Sequence, residues 1–231
     1  MSEDSSRQSI IAALRRVNAQ PGEDATPAVV SPVARCSPAE GIARFIAGAE
    51  AANASVSVAA DQEEALRLVA AILSTVEGRQ VIVSDDAWRE PWGVARLSAG
   101  IDERTIQRTS SLQDASASAI AASVSVGITA ADCGVADTGT VVVCSGPAGG
   151  RIESLVPPVH IALLQASRLV SGLPEVFALL ESEGRFERSS AVTFITGPSR
   201  TADIELVLTV GVHGPKQLFV ILVNDVPEAS S

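Results

Sequence analysis

The sequence predicts a single α/β domain organised on a buried, parallel sheet, and three features carry that prediction. Apolar residues make up 46% of the 231-residue chain and are chiefly Ala, Val, Leu and Ile, while aromatics are 3% and Tyr is absent. An aliphatic core of this kind suits helices laid over both faces of a sheet. Between Ser55 and Ser84 the chain reads strand, helix, strand, with about twenty residues between strand ends, as in a parallel βαβ unit. Six or seven strand candidates then follow along the chain without an internal repeat. A length of 231 residues suits one large domain with a modest appendage and is enough to bury a proper core.

Taken in order, Ser5 to Val17 places Ile10, Ile11, Leu14 and Val17 at helical spacing, and Gln20 to Pro38 is rich in Pro, Gly, Ala and Ser. Residues 1–38 therefore read as a docking helix and a surface linker, residues 39–225 as the α/β domain, and residues 226–231 as a disordered tail. Glu40 to Ala51 is a second helical pattern and leads into a short strand, Ser55 to Ala59. Asp61 is a good N-cap, Glu63 and Glu64 complement the positive end of the helix it opens, and Gly78 closes that helix after Val76. Gln80 to Ser84 is the next strand, followed by an irregular stretch from Asp85 to Gly100 with Trp88 and Trp92 around Pro91. Ser123 to Val126 and Thr140 to Cys144 read as strands joined by a loop, Gly127 to Gly139. Val159 to Leu164 is another strand, Pro174 to Leu180 the core of a helix, and Ala191 to Ile195 and Leu218 to Val223 the last strands.

Composition removes several classes of function. A net charge of −10 and a pI near 4.7 leave no basic face to neutralise nucleic-acid phosphates or an anionic membrane. The apolar runs are far shorter than the roughly 20 residues needed to span a bilayer, and Met1 to Arg7 is polar rather than signal-like, so a cytoplasmic protein is expected. Cys36, Cys133 and Cys144 are odd in number, far apart and free of any C-x-x-C pattern, which suits reduced thiols. Neither a structural zinc nor an iron–sulfur cluster held by this chain alone is expected. Sixteen arginines stand against one lysine, Lys216, so there is no Walker A lysine, and a Schiff base would have to use a residue beside Pro215 in a loop. The patterns H-E-x-x-H, G-x-S-x-G and G-x-G-x-x-G are missing as well, and neither metal nor cofactor is expected.

Three loops carry the remaining chemistry, because unpaired backbone amides beside small residues can meet a ligand at the carboxyl ends of parallel strands. In the first, Thr138, Gly139 and Thr140 offer two hydroxyls around a close-approach glycine, and Asp137 supplies an acceptor or base; the same residues also suit a tight capped turn. In the second, Gly197 and Pro198 turn the chain. Ser199 and Thr201 bring hydroxyls, Arg200 a guanidinium fork, and Asp203 and Glu205 acid. If a helix begins near Thr201, its N-terminus and Arg200 make an anion site; otherwise Ser199 or Thr201 caps the helix and Arg200 pairs with Asp203. The third loop sets His213 between Gly211 and Gly214, before Pro215, where an imidazole can act as acid or base near neutral pH. The other histidine, His160, opens an apolar strand and reads as structural, and Cys144 ends one and reads as a buried small hydrophobe.

At these same loops the chain resembles the lactate utilization protein C family (LutC/YkgG), whose shared module is the LUD domain. The matching stretches are Gly127-Ile128-Thr129-Ala130-Ala131-Asp132, Ala136-Asp137-Thr138-Gly139-Thr140, Leu155-Val156-Pro157-Pro158-Val159-His160, and Thr196 to Glu205 with Gly211-Val212-His213-Gly214-Pro215. The resemblance implies a three-layer α/β sandwich with a mostly parallel sheet, similar to the NagB/RpiA/CoA-transferase group. It also implies a subunit of a three-protein system that oxidises L-lactate to pyruvate, in which iron–sulfur sister subunits carry the cysteine-rich motifs missing here. The family pattern often has Glu before Thr-Gly-Thr, where this chain has Asp137, one methylene shorter.

Two functions of different class follow. One is a subunit without a redox centre of its own that binds a small carboxylate or a partner at the Arg200 loop. The other is a free-standing enzyme on a phosphorylated or carboxylated small molecule, resembling isomerases, CoA transferases or folate cyclo-ligases, with Asp137 or His213 as general base. A scaffold whose loops only bind another subunit is a third option.

Overall fold

A computed structural model of the chain describes residues 37–89, 91–99, 104–112, 120, 123–146, 151–202, 208–210 and 214–226. The helix predicted over Ser5 to Val17, the linker to residue 36 and residues 227–231 of the tail lie outside the described residues.

Helix α1 (Pro38–Ala51) starts where Ser37 accepts a hydrogen bond from the amide of Glu40, and Pro38 supplies the fixed first-turn φ that a helix start favours. It leads into β1 (Ser55–Ala59). Asp61 caps α2 (Gln62–Thr75) as predicted, its Oδ1 accepting from Glu64 N at 2.8 Å. Gly78, at φ +98, turns the chain into β2 (Gln80–Val83). A short helix α3 (Asp85–Trp88) and a 3-10 turn (Val94–Ala99) occupy the stretch read as irregular, and β3 (Thr105–Arg108) follows. Next come β4 (Val124–Ala130), β5 (Cys133–Val135), β6 (Thr140–Cys144), α4 (Ile152–Leu155), β7 (Val159–Gln165) and β8 (Leu169–Val170). The chain continues through α5 (Leu173–Ser182), α6 (Arg185–Arg188), β9 (Val192–Ile195), β10 (Arg200–Ala202), β11 (Leu208–Val210) and β12 (Gln217–Val223).

Six strands form one sheet in the order β1-β12-β7-β4-β2-β3, and every neighbouring pair is parallel. The chain steps outward from β2 to β3, then crosses β2 to lay down β4, which makes the carboxyl ends of β2 and β4 a topological switch point. One face of the sheet packs Val81, Val83, Val126, Ile128, Ile161 and Ile221 against Leu66, Val69 and Leu73 of α2 and against Trp92. The other face packs Ala162, Leu164, Val220 and Leu222 against Phe45 and Ala49 of α1 and Val141 of β6. Strand β6 belongs to a second sheet, β8-β5-β6-β9, whose far side is covered by Val176 and Leu180 of α5. Burying a side chain such as Phe45 contributes about 2–3 kcal/mol, so these two aliphatic faces hold the sandwich together.

The structure corrects the loop predicted over Gly127 to Gly139, because β4 continues to Ala130 and β5 follows at Cys133. Gly127 is not a breaker: a Cβ there would lie 1.9 Å from the carbonyl oxygen of Glu153, so the missing side chain is what lets α4 rest directly on the sheet.

Candidate functional site

Two of the three predicted loops meet through a chain of hydroxyls. Thr138 Oγ1 lies 2.7 Å from Thr140 Oγ1, which lies 2.8 Å from Thr196 Oγ1 at the start of the second loop. The second and third loops meet where Ser199 N donates to Pro215 O at 2.8 Å, and a Cβ on Gly214 would stand 3.2 Å from Ser199 Cβ. The first two loops also share one support, the carboxyl-terminal half of α1. A Cβ on Gly139 would fall 1.9 Å from Ala49 N, one on Gly48 2.7 Å from Gly139 N, and one on Gly197 2.5 Å from Ala52 O. Gly139 also has φ +62, so two independent constraints demand glycine there.

Asp137 forms an ion pair with Arg44 of α1, a residue that the sequence reading did not single out. Both side chains are exposed, 38% and 42%, so the pair lies at the surface rather than in a closed pocket. The stripe of small residues Gly48, Ala49, Ala51 and Ala52 was the available signal that α1 carries a close backbone contact. Arg200 and Thr201 lie in β10, paired antiparallel with Val210 and Thr209 of β11, so no helix starts at Thr201 and the helix N-terminus of the predicted anion site does not exist. Asp203 and His213 lie outside the described residues.

The rim on which these loops gather differs from the expected one. Gly197 rests on Ala52 just before β1, and Gly214 and Pro215 precede β12, where Lys216 N donates to Pro158 O just before β7. This is the amino rim of the parallel sheet, not the carboxyl rim. The reason is directional: the second and third loops lead into or lie beside the starts of sheet strands, and only the topology reveals which end of a strand a loop touches.

At the carboxyl rim, the ends of β4 and β7 border an open cleft of about 460 Å³ walled by charged groups. Arg168 meets Glu183 with Nη1 and Nη2 at 2.6 and 2.9 Å and donates from Nε to Asp132 O at 2.7 Å. The hydrogen bond from Arg168 holds the Glu183 carboxyl below the usual carboxylate range. Asp132 pairs with Arg185 through one oxygen and accepts Cys144 N at 2.6 Å through the other. None of this ionic frame was predicted, because its members come from the β4–β5 turn (Asp132), the turn between β7 and β8 (Arg168), the link after α5 (Glu183) and α6 (Arg185), with no shared sequence motif.

The buried titratable groups have structural roles. Burial pushes the Cys133 and Cys144 thiols up to about 11, which keeps them protonated and poorly nucleophilic at neutral pH. Burial lowers His160 to about 4, and its Nε2 lies 2.8 Å from Thr129 Oγ1, so it is a neutral core histidine, while its buried Nδ1 meets no hydrogen-bond partner among the described residues. Glu153 is buried with neither carboxyl oxygen hydrogen-bonded to a described residue, and desolvation raises its pKa toward the neutral form. Among the described residues no three His, Cys, Asp or Glu side chains are placed to hold a metal ion.

Comparison with known proteins agrees with this architecture. A crystal structure of a DUF162 family protein from Deinococcus radiodurans superposes with a TM-score of 0.60 over 82% of this chain and 100% of that one, at 24% identity, and shows the shared fold. A protein named lactate utilization protein C from an Exiguobacterium species is 32% identical over 166 residues, 71% of this chain and 68% of that protein. Proteins of the same name from a Geobacillus species and from Halalkalibacterium halodurans are 41% and 45% identical over 104 and 102 residues. These two matches span 42% and 44% of the relatives' own length. The LUD domain matches residues 42–223, from the second turn of α1 to the end of β12, and the chain belongs to the LUD domain family.

Proposed function

We propose that this protein is the subunit without a redox centre of its own in a three-protein, cytoplasmic system that oxidises L-lactate to pyruvate, with iron–sulfur sister subunits carrying the electrons. The observation behind this reading is the 166-residue match to a lactate utilization protein C, which runs through both sheets rather than through one motif. The chemistry of the chain agrees with it: its few cysteines are scattered, and Cys133 and Cys144 are buried as protonated thiols.

In this reading the amino rim is the working surface. Thr138, Gly139, Thr140, Gly197, Ser199 and Gly214 form its floor, and Arg200, Thr201 and Asp203 supply the polar contacts to a small carboxylate or a sister subunit. Asp137 and His213 are its proton-handling groups, and Arg44 pairs with the Asp137 carboxylate. The test is reconstitution. The purified chain, mixed with the iron–sulfur partners, restores L-lactate oxidation, and Arg200→Ala abolishes the effect while the variant melts within about 0.5 kcal/mol of the parent. Full activity of the partners without this chain refutes the reading, and a large stability loss in Arg200→Ala makes the arginine structural.

A second reading, an enzyme that acts alone, draws support from the cleft at the carboxyl rim, where α/β enzymes hold small molecules. Thermal-shift measurements with sugar phosphates, acyl-CoA, folates and L-lactate separate the two. A ligand at about 100 times its Kd adds roughly 2.7 kcal/mol.

A further inference from the structure

The wall of the carboxyl-rim cleft contains groups that hold one another and groups that do not. Arg168, Glu183 and Asp132 are occupied by the contacts given above. Arg188 donates from Nε to Gly184 O at 3.0 Å and from Nη2 to Glu183 O, both backbone carbonyls, so no carboxylate is hydrogen-bonded to its charge. Arg185 shares Asp132, and its Nε is buried without a partner. Asp86, on α3 at the switch point, lines the same cleft, and so does Gln165 at the end of β7. Among the described residues neither of those side chains makes a hydrogen bond. What remains is two arginines with spare donors, one carboxylate with spare acceptors and one amide that offers both.

That remainder has a definite complement. A simple carboxylate would satisfy the arginines and leave Asp86 facing like charge; a cation would satisfy Asp86 and meet the guanidinium groups. A molecule that carries an anionic group and, beside it, a hydroxyl donor answers both. We propose that this cleft binds a small 2-hydroxy acid, with Arg185 and Arg188 taking the carboxylate, Asp86 accepting from the hydroxyl, and Gln165 able to serve either group. Arg168 and Glu183 act as positioning residues that hold α5 and the turn into α6 against the sheet. The site is separate from the amino rim, and the proposal rests on the lactate reading only for its first probe, L-lactate.

Calorimetric titration of the full chain with L-lactate, propionate and inorganic phosphate tests it. L-lactate binds saturably, and propionate, which lacks only the hydroxyl, binds about tenfold or more weakly. Arg188→Gln weakens L-lactate about tenfold or more, in keeping with the loss of a charge-assisted contact. Asp86→Asn brings L-lactate down toward propionate and leaves propionate itself unchanged. Glu63→Gln, exposed on α2 and outside both rims' proposed contacts, leaves all three isotherms unchanged. Both cleft side chains stand at the surface, and circular dichroism confirms that the variants are folded; Arg188→Lys replaces any that is not. Equal binding of L-lactate and propionate, tighter binding of phosphate than of L-lactate, no saturable L-lactate binding, or no effect of Arg188→Gln each overturns the proposal. Reconstitution that fails while L-lactate still binds sinks only the three-protein reading, and the converse sinks only the cleft.

Discussion

At the amino rim, loops approach each other to the limit of backbone contact and are tied by neutral groups: hydroxyl to hydroxyl from Thr138 through Thr140 to Thr196, and amide to carbonyl from Ser199 to Pro215. At the carboxyl rim the ties are ionic, Arg168 to Glu183 and Arg185 to Asp132. Apart from the exposed Arg44–Asp137 pair, the first arrangement depends on volume and is nearly indifferent to pH and salt. The second depends on charge. One domain therefore presents a surface suited to close docking at one end of its sheet and a polar recess at the other.

Adding one methyl group to the crowded rim has the largest expected effect. Gly139→Ala places a Cβ 1.9 Å from Ala49 N and forces a side chain into φ +62. Overpacking of about 1–3 kcal/mol and left-handed strain of about 1–2 kcal/mol give a loss of about 3 kcal/mol in urea denaturation. A loss under about 1 kcal/mol would show that the loop and α1 separate readily, and the comparison would collapse.

The ionic rim answers to pH instead. Arg168→Ala removes a bidentate pair and the donor to Asp132 O, and because both side chains are about one-third exposed the loss near pH 7 is about 1–2 kcal/mol. Glu183 has a folded pKa below its unfolded value, so its contribution is present above the ordinary carboxylate range and disappears as pH falls through the folded value. The gap between parent and variant is therefore widest near neutrality and narrows in acid. Denaturation curves at about pH 7 and about pH 3 check this; a gap that stays constant or widens in acid assigns the loss to packing.

What could be read from the sequence follows from how local its cause is. The Asp61 cap, the helix it opens and the apolar strands β1, β2 and β12 are specified by adjacent residues and emerge at their predicted places. Strands β5, β8, β10 and β11 span two or three residues each, too short for any periodicity to announce them, and β8 is fixed by pairing with the distant β5. The loop residues were recognisable by type, since glycines between hydroxyls mark close approach. Their rim was not, because it depends on the order β1-β12-β7-β4-β2-β3, which is set by pairing across the whole chain. Arg44 escaped for the same reason: it reaches Asp137 across 93 residues.

The smallest effect concerns the hydroxyl chain itself. Thr140 is 4% exposed and touches two hydroxyls, whereas Thr138 and Thr196 are exposed and can turn to water when it is gone. Thr140→Val keeps the β-branched shape and β-sheet preference while deleting the oxygen, so no cavity forms and no buried partner is stranded. The expected loss is about 1 kcal/mol, independent of pH between the carboxylate and thiol ranges because no ionised group takes part. Thr138→Val and Thr196→Val, which each break one link from the wet side, cost less than Thr140→Val. If either costs more, the hydroxyl chain has its anchor at the surface, and the first two loops are joined by something other than the buried threonine.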